Sequence, residues 1–171
     1  MKKIKYLLLI FIIISFVYSC KKIQQLSSVP HVDFTNFSIF DTTDILGNHS
    51  KGGRLRFRFE DGDGDIGLNN PTSGQPDSTN LFLTLYRIKD GVRVPAPQND
   101  PISPSAYRIP FMERLGRDKI LKGTISVTFL YLFYTPGDTI SYDFYITDRA
   151  SNQSNVASTT DIVISQNKVY N

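Results

Sequence analysis

Arg54-Leu55-Arg56-Phe57-Arg58-Phe59 alternates guanidinium and apolar side chains without a break. Only an extended strand sorts such a run onto two faces, because successive side chains point in opposite directions; a helical period of about 3.6 residues would scatter them. Leu55, Phe57 and Phe59 are therefore expected to face a core and the three arginines to face water, as in a sheet buried on one side. Short runs of the same β-rich character recur along the chain, divided by Gly, Pro, Asn and Asp. They are Val32–Phe37 with a continuation through Phe40, Leu81–Ile88, Val92–Val94, Tyr107–Ile109, Gly123–Phe133, Thr139–Thr147 and Val156–Ser165. Lys89-Asp90-Gly91 predicts a hairpin turn. No sustained helical period competes. The expected fold is all-β: an Ig-like two-sheet antiparallel sandwich of seven or eight strands over residues 31–171. The chain has no Trp and a single Cys, Cys20, so the disulfide-and-tryptophan core of antibody domains is not expected.

The N-terminus carries a different signal. Met1-Lys2-Lys3-Ile4-Lys5 is basic, Tyr6–Tyr18 is almost wholly apolar, and Ser19 is a small residue before Cys20. This is the order of a secretory signal, and the apolar run is short for a membrane span. Val17-Tyr18-Ser19-Cys20 resembles the lipobox of bacterial lipoproteins, although Tyr18 stands where a small residue is usual. The resemblance implies a signal peptide over residues 1–19, lipid attachment at Cys20, and a flexible tether over 20–30. Acyl chains would then be the sole membrane anchor, each buried CH₂ contributing about 0.8 kcal/mol. Removing Lys2, Lys3 and Lys5 from the 19 Lys+Arg leaves 16 against 16 Asp+Glu. A chain with no net charge offers no basic field for phosphates, so nucleic acid is not an expected partner. With Cys20 lipidated no thiol remains for disulfides, nucleophilic catalysis or metal binding.

One constellation carries chemistry. Glu60-Asp61-Gly62-Asp63-Gly64-Asp65-Ile66-Gly67 follows a predicted strand directly. Alternating carboxylates this close repel and raise one another's pKa, and a divalent cation relieves that repulsion. Hard oxygen donors without His or Cys point to Ca²⁺, which takes six to eight oxygens in irregular geometry. An EF-hand fits poorly: Ile66 and Thr72 stand where that loop needs Gly and Glu. A plain acidic turn with Asp side chains bonded to backbone is the competing expectation. In Ig strand order the acidic loop and Asp148-Arg149-Ala150-Ser151-Asn152 lie at one end of the sandwich, near the tether. The expected ligands are thus Asp61, Asp63, Asp65 and Asp148, with Glu60, Gly67 and Asn152 supporting through a second layer or backbone.

FRFEDGDGDIGL, YRIP, KGTISV and YDFYITDRASNQSN resemble uncharacterised Bacteroidetes lipoproteins with an Ig-like domain, over about Phe57–Asn155. The last segment is similar to one recurring in bacterial Ig-like and cadherin-like modules, where Gly is common at the position of Ser151. The resemblance implies a cell-envelope sandwich, and assigns metal-ligand character to Asp61, Asp63, Asp65 and Asp148.

Catalytic signals are absent from the sequence: His31 and His49 lie in no motif, and no nucleophile elbow, zinc-protease or phosphate-loop pattern occurs. Glu113 and Asp118, beside Arg114 and Arg117, suggest a solvated turn. The expectation is a non-enzymatic, calcium-stabilised module of the cell envelope, at the outer membrane, docking a protein or glycan through the loops 69–80 and 95–106. A structural spacer or accessory subunit of an envelope complex is the alternative, and a hydrolase the third.

Overall fold

A computed structural model describes residues 26–71, 78–103, 106–113 and 119–171. The expected signal peptide, Cys20 and the start of the expected tether lie outside the described residues, as do parts of both long loops and residues 114–118.

The strands are β1 (His31–Thr43), β2 (His49–Asp61), β3 (Leu81–Lys89), β4 (Val92–Pro95), β5 (Leu121–Tyr131), β6 (Thr139–Ile146), β7 (Ala157–Ser158), β8 (Ile162–Val163) and β9 (Val169–Tyr170). Two antiparallel sheets face each other. One has the order β5-β2-β1-β9; the other runs β4-β3-β6-β7, with β8 also on β6. With β1, β2, β3, β5 and β6 in the places of strands A, B, C, E and F, and β7–β8 as strand G, this is the Ig-like sandwich expected from the sequence.

Strand alternation builds the core. Leu55 and Phe57 are fully buried and Phe59 nearly so, while Arg54, Arg56 and Arg58 are exposed. Ile140, Tyr142, Phe144 and Ile146 line the inner face of β6 in the same way. Rings from the two sheets meet between them: Phe57 lies 4.9 Å from Phe144 and Phe129 lies 5.6 Å from Tyr142, centroid to centroid. The β3–β4 hairpin closes through Asp90-Gly91, both at positive φ (51° and 75°), with Lys89 paired to Val92. Such a two-residue turn matches the twist of its strands.

Four segments depart from the sequence pattern. Tyr107–Ile109 forms no strand; Tyr107 makes a single bridge to Leu81, and Pro110 one to Leu68. β5 stops at Tyr131, so Phe133, expected on the inner face, is 67% exposed. The closing strand is broken: the register on β6 shifts by one residue between β7 and β8. Thr159 spans the break, its N–H donating to Tyr142 O (2.9 Å) and its hydroxyl accepting from Tyr142 N (2.9 Å). β9, which pairs with Phe37 and Ser38 at the edge of β1, has no counterpart in the sequence expectation.

Candidate functional site: an acidic pole

β2 delivers Asp61 to the end of the sandwich on its inward face, directly after Phe57 and Phe59. Asp61 is consequently 1% exposed, an unusual place for a carboxylate. The chain then curls so that one carboxylate oxygen each of Asp61, Asp63 and Asp65 lie within 4.8 Å of one another. Asp61 Oδ2 accepts from the backbone N–H of Asp65 (2.8 Å) and of Ile66 (3.2 Å). Ile66 is fully buried and pins the far side of the loop to the core. The other oxygen of Asp61, and Oδ1 of Asp65, are buried with no hydrogen-bond partner.

Electrostatics follow from this geometry. Burial pushes the Asp61 carboxyl up to about 6, the neighbouring Asp63 adding to the rise and the two backbone donors opposing it. Asp65 is also held above the ordinary carboxylate range, first by burial and then by the negative charges of Asp148 and Asp63. A buried polar atom without a partner is costly, and a buried charge more so. The arrangement could hold a metal ion among its oxygens, and taking up a proton would relieve the same charge.

The expected convergence of the two loops is present. Ala150 N donates to Asp65 Oδ2 (3.2 Å), and Arg149 reaches Gly67 O with Nη1 (2.8 Å) while its guanidinium lies 5.2 Å from the Phe111 ring centroid. Asp148 is 4% exposed and near enough to act on Asp65. Its oxygens are turned to Asn152, accepting from the backbone N (2.7 Å) and from Nδ2 (2.8 Å), so it does not join the three-carboxylate group. Ser151 supports this turn at φ 68°, a left-handed conformation that suits glycine better.

The Glu60 side chain does not reach the cluster. Strand alternation sends its side chain to the opposite face of β2 from Asp61, where Oε1 accepts from Lys122 Nζ at 3.0 Å on an exposed surface. Gly67 is adjacent to the cluster, with its carbonyl engaged by Arg149.

Sequence reasoning missed the segment before β1. Gly62 N donates to Ser27 O (2.9 Å), and a Cβ at Gly62 would overlap the carbonyl oxygens of Leu26 and Ser27. Glycine at that position admits the chain, so the expected tether ends at the acidic loop and not at Pro30. Asn155 fixes the next step, its side chain accepting from Val32 N (2.9 Å) and donating to Val32 O (2.8 Å). The D-G-D spacing was the available signal for the first contact, since a glycine between two aspartates has room for a backbone on its bare side.

The long loops are partly tied down. Arg108 bonds the carbonyls of Leu68 (2.8 Å) and Asn69. Arg87 grips Asp100 through two hydrogen bonds (2.9 and 2.8 Å), and Ile102 is buried. No helix among the described residues is long and apolar enough to cross a membrane. Comparison with protein-family models, curated proteins and solved structures finds no match for this chain.

Proposed function

We propose that this chain is a lipid-anchored cell-envelope protein whose β-sandwich holds a Ca²⁺ ion at the pole next to its tether and serves, without catalysis, to dock a protein or glycan partner. One observation carries the cation: Asp61, almost wholly buried, keeps an oxygen with no hydrogen-bond partner against two further carboxylates. The donor set is all oxygen, and the loop between strands is irregular, which suits Ca²⁺ better than the strict octahedron of Mg²⁺. Asp61, Asp63 and Asp65 would hold the ion. Asp148 and Asn152, locked to each other, would brace the Arg149–Ala150 backbone against Asp65.

Anchoring rests on the lipobox-like Val17–Cys20 segment, acylated at Cys20, and the outer membrane is the favoured location. The docking of Leu26 and Ser27 on the acidic loop supports a tether that emerges at the cation pole. The absence of catalysis rests on the chemistry of the cluster. Its three carboxylates crowd one turn, whereas paired acids that hydrolyse glycosides face each other across about 5–9.5 Å of substrate cleft.

Thermal melting of the full-length protein in detergent tests the cation. Millimolar Ca²⁺ is expected to raise the midpoint and a chelator to lower it, because a ligand that binds only the folded state stabilises by mass action. An unchanged midpoint would remove the metal site.

A further inference from the structure

Every open sheet has edges that invite another strand, and natural sheets blunt them with brevity, Pro, charge or bulges. Three edges here are blunted. β4 is four residues long and ends in Pro95, β9 is two residues long, and β7–β8 is broken by the register shift at Thr159. β5 is not. It runs 11 residues without Pro, carries a single charge at Lys122 near its start, and pairs on one side only, with β2. No backbone hydrogen bond joins its outer edge to any described residue.

The space beside that edge is apolar. A groove of about 410 Å³ opens there, lined by Ile125 and Val127 of β5 together with Tyr107, Ile109 and Met112. Ile125 and Val127 are half-buried although they point to the inner side. This is the position where an Ig-type sheet carries a fourth strand, D, after E; the sequence supplies none among the described residues.

We propose that the outer edge of β5 takes up an extended segment of another protein, apolar at every second residue. A row of N–H and C=O groups without a backbone partner among the described residues selects an extended backbone, and the groove selects alternate apolar side chains, the two halves of strand addition. A second copy fits poorly as occupant. Antiparallel pairing of two β5 edges would place the two Leu26 ends at opposite ends of the dimer, which copies anchored in one membrane cannot satisfy. The inference rests on the docking and anchoring readings above and is independent of the cation.

The test pans displayed random peptides about twelve residues long, enough to span the strand at ~3.4 Å per residue, against the full-length protein in detergent. Enriched peptides are expected to be apolar at alternate positions, and the tightest, made synthetically, to slow amide exchange in β5 and not in β4. Ile125→Lys and Val127→Lys are expected to weaken its binding by about tenfold or more, with Val94→Lys on β4, an edge of the other sheet, leaving it unchanged. Melting curves of the variants verify that each is folded. Failure to enrich any peptide, protection elsewhere, or insensitivity to both lysines would overturn the proposal. So would a concentration-dependent dimer abolished by Ile125→Lys, which would make a second copy the occupant. Peptide binding that persists while melting ignores Ca²⁺ would support strand uptake and remove only the metal site.

Discussion

Two polar clusters are buried at opposite ends of β5, and they solve the same problem differently. At one end Tyr131 and Tyr142, 2% and 0% exposed, place their hydroxyls 2.9 Å apart. Burial raises both pKa values, so each stays neutral and the pair satisfies itself. At the other end, beside Leu121, lies Asp61 with Asp63 and Asp65. Two hydroxyls can act as donor and acceptor to each other, whereas carboxylates are acceptors only when ionised. The tyrosine pair closes its own account within the chain; the aspartates need a proton or a cation from outside. A buried polar cluster is thus self-sufficient when its members complement one another and open to a proton or a cation when they do not.

The largest expected effect tests the ligand side of this contrast. Saturating Ca²⁺ should stabilise the protein by about 2.7–4.1 kcal/mol when the ion is at 100 to 1,000 times its dissociation constant. Asp61→Asn should abolish that gain while leaving the chelated protein as stable as the parent or more so, since the amide carries no buried charge. Paired melting curves with Ca²⁺ and with chelator read both outcomes.

The second effect is a pH dependence of opposite sign with and without the ion. The folded-state pKa of Asp61, about 6, lies above its ordinary value of 3.8. The folded state therefore holds the proton more tightly than the unfolded chain. The associated stability is complete below about pH 4 and is lost as pH rises through about 6, on the order of 2–3 kcal/mol. Denaturant unfolding in chelator at pH 4.5 and 7 should show this fall. With Ca²⁺ the stabilisation should instead grow over the same interval, because the ion binds the deprotonated ligands and releases protons.

The tyrosine end should ignore both variables. Tyr142→Phe strands the buried hydroxyl of Tyr131 and should cost about 1–3 kcal/mol, equally with Ca²⁺ and with chelator. The double change to Phe at 131 and 142 should cost less than the sum of the single changes, and a double-mutant cycle measures the difference. Should the single cost depend on Ca²⁺, the two ends would be coupled and the contrast would fail.

The smallest effect concerns the brace. Arg149→Ala removes the donor to Gly67 O and the ring contact with Phe111, and should cost about 1 kcal/mol in stability with a modest loss of Ca²⁺ affinity. Isothermal titration separates those two consequences.

Much of this was legible in the chain because it is written at short range. The Arg54–Phe59 alternation fixes the face of β2, and Asp90-Gly91 fixes a turn that tolerates positive φ. The 61–63–65 spacing brings carboxylates together whatever surrounds them. Asp148 was legible one step further out, through the strand order that puts two loops at one pole. Its bonds to Asn152 were not, because an Asx-type turn and a metal ligand use the same residue type. The alternation that turns Asp61 inward turns the Glu60 side chain outward to Lys122.

The sequence by itself determined the six longer strands β1–β6, most of their inward apolar residues and the presence of a charge cluster, since period-two patterning and residue spacing are local properties. Tertiary structure alone decided that Asp61 is buried, that Leu26 and Ser27 lie on Gly62, that Thr159 bridges a broken strand and that the outer edge of β5 has no backbone partner among the described residues. Burial, close approach and an absent neighbour are relations between segments far apart in the chain, and no local pattern encodes them.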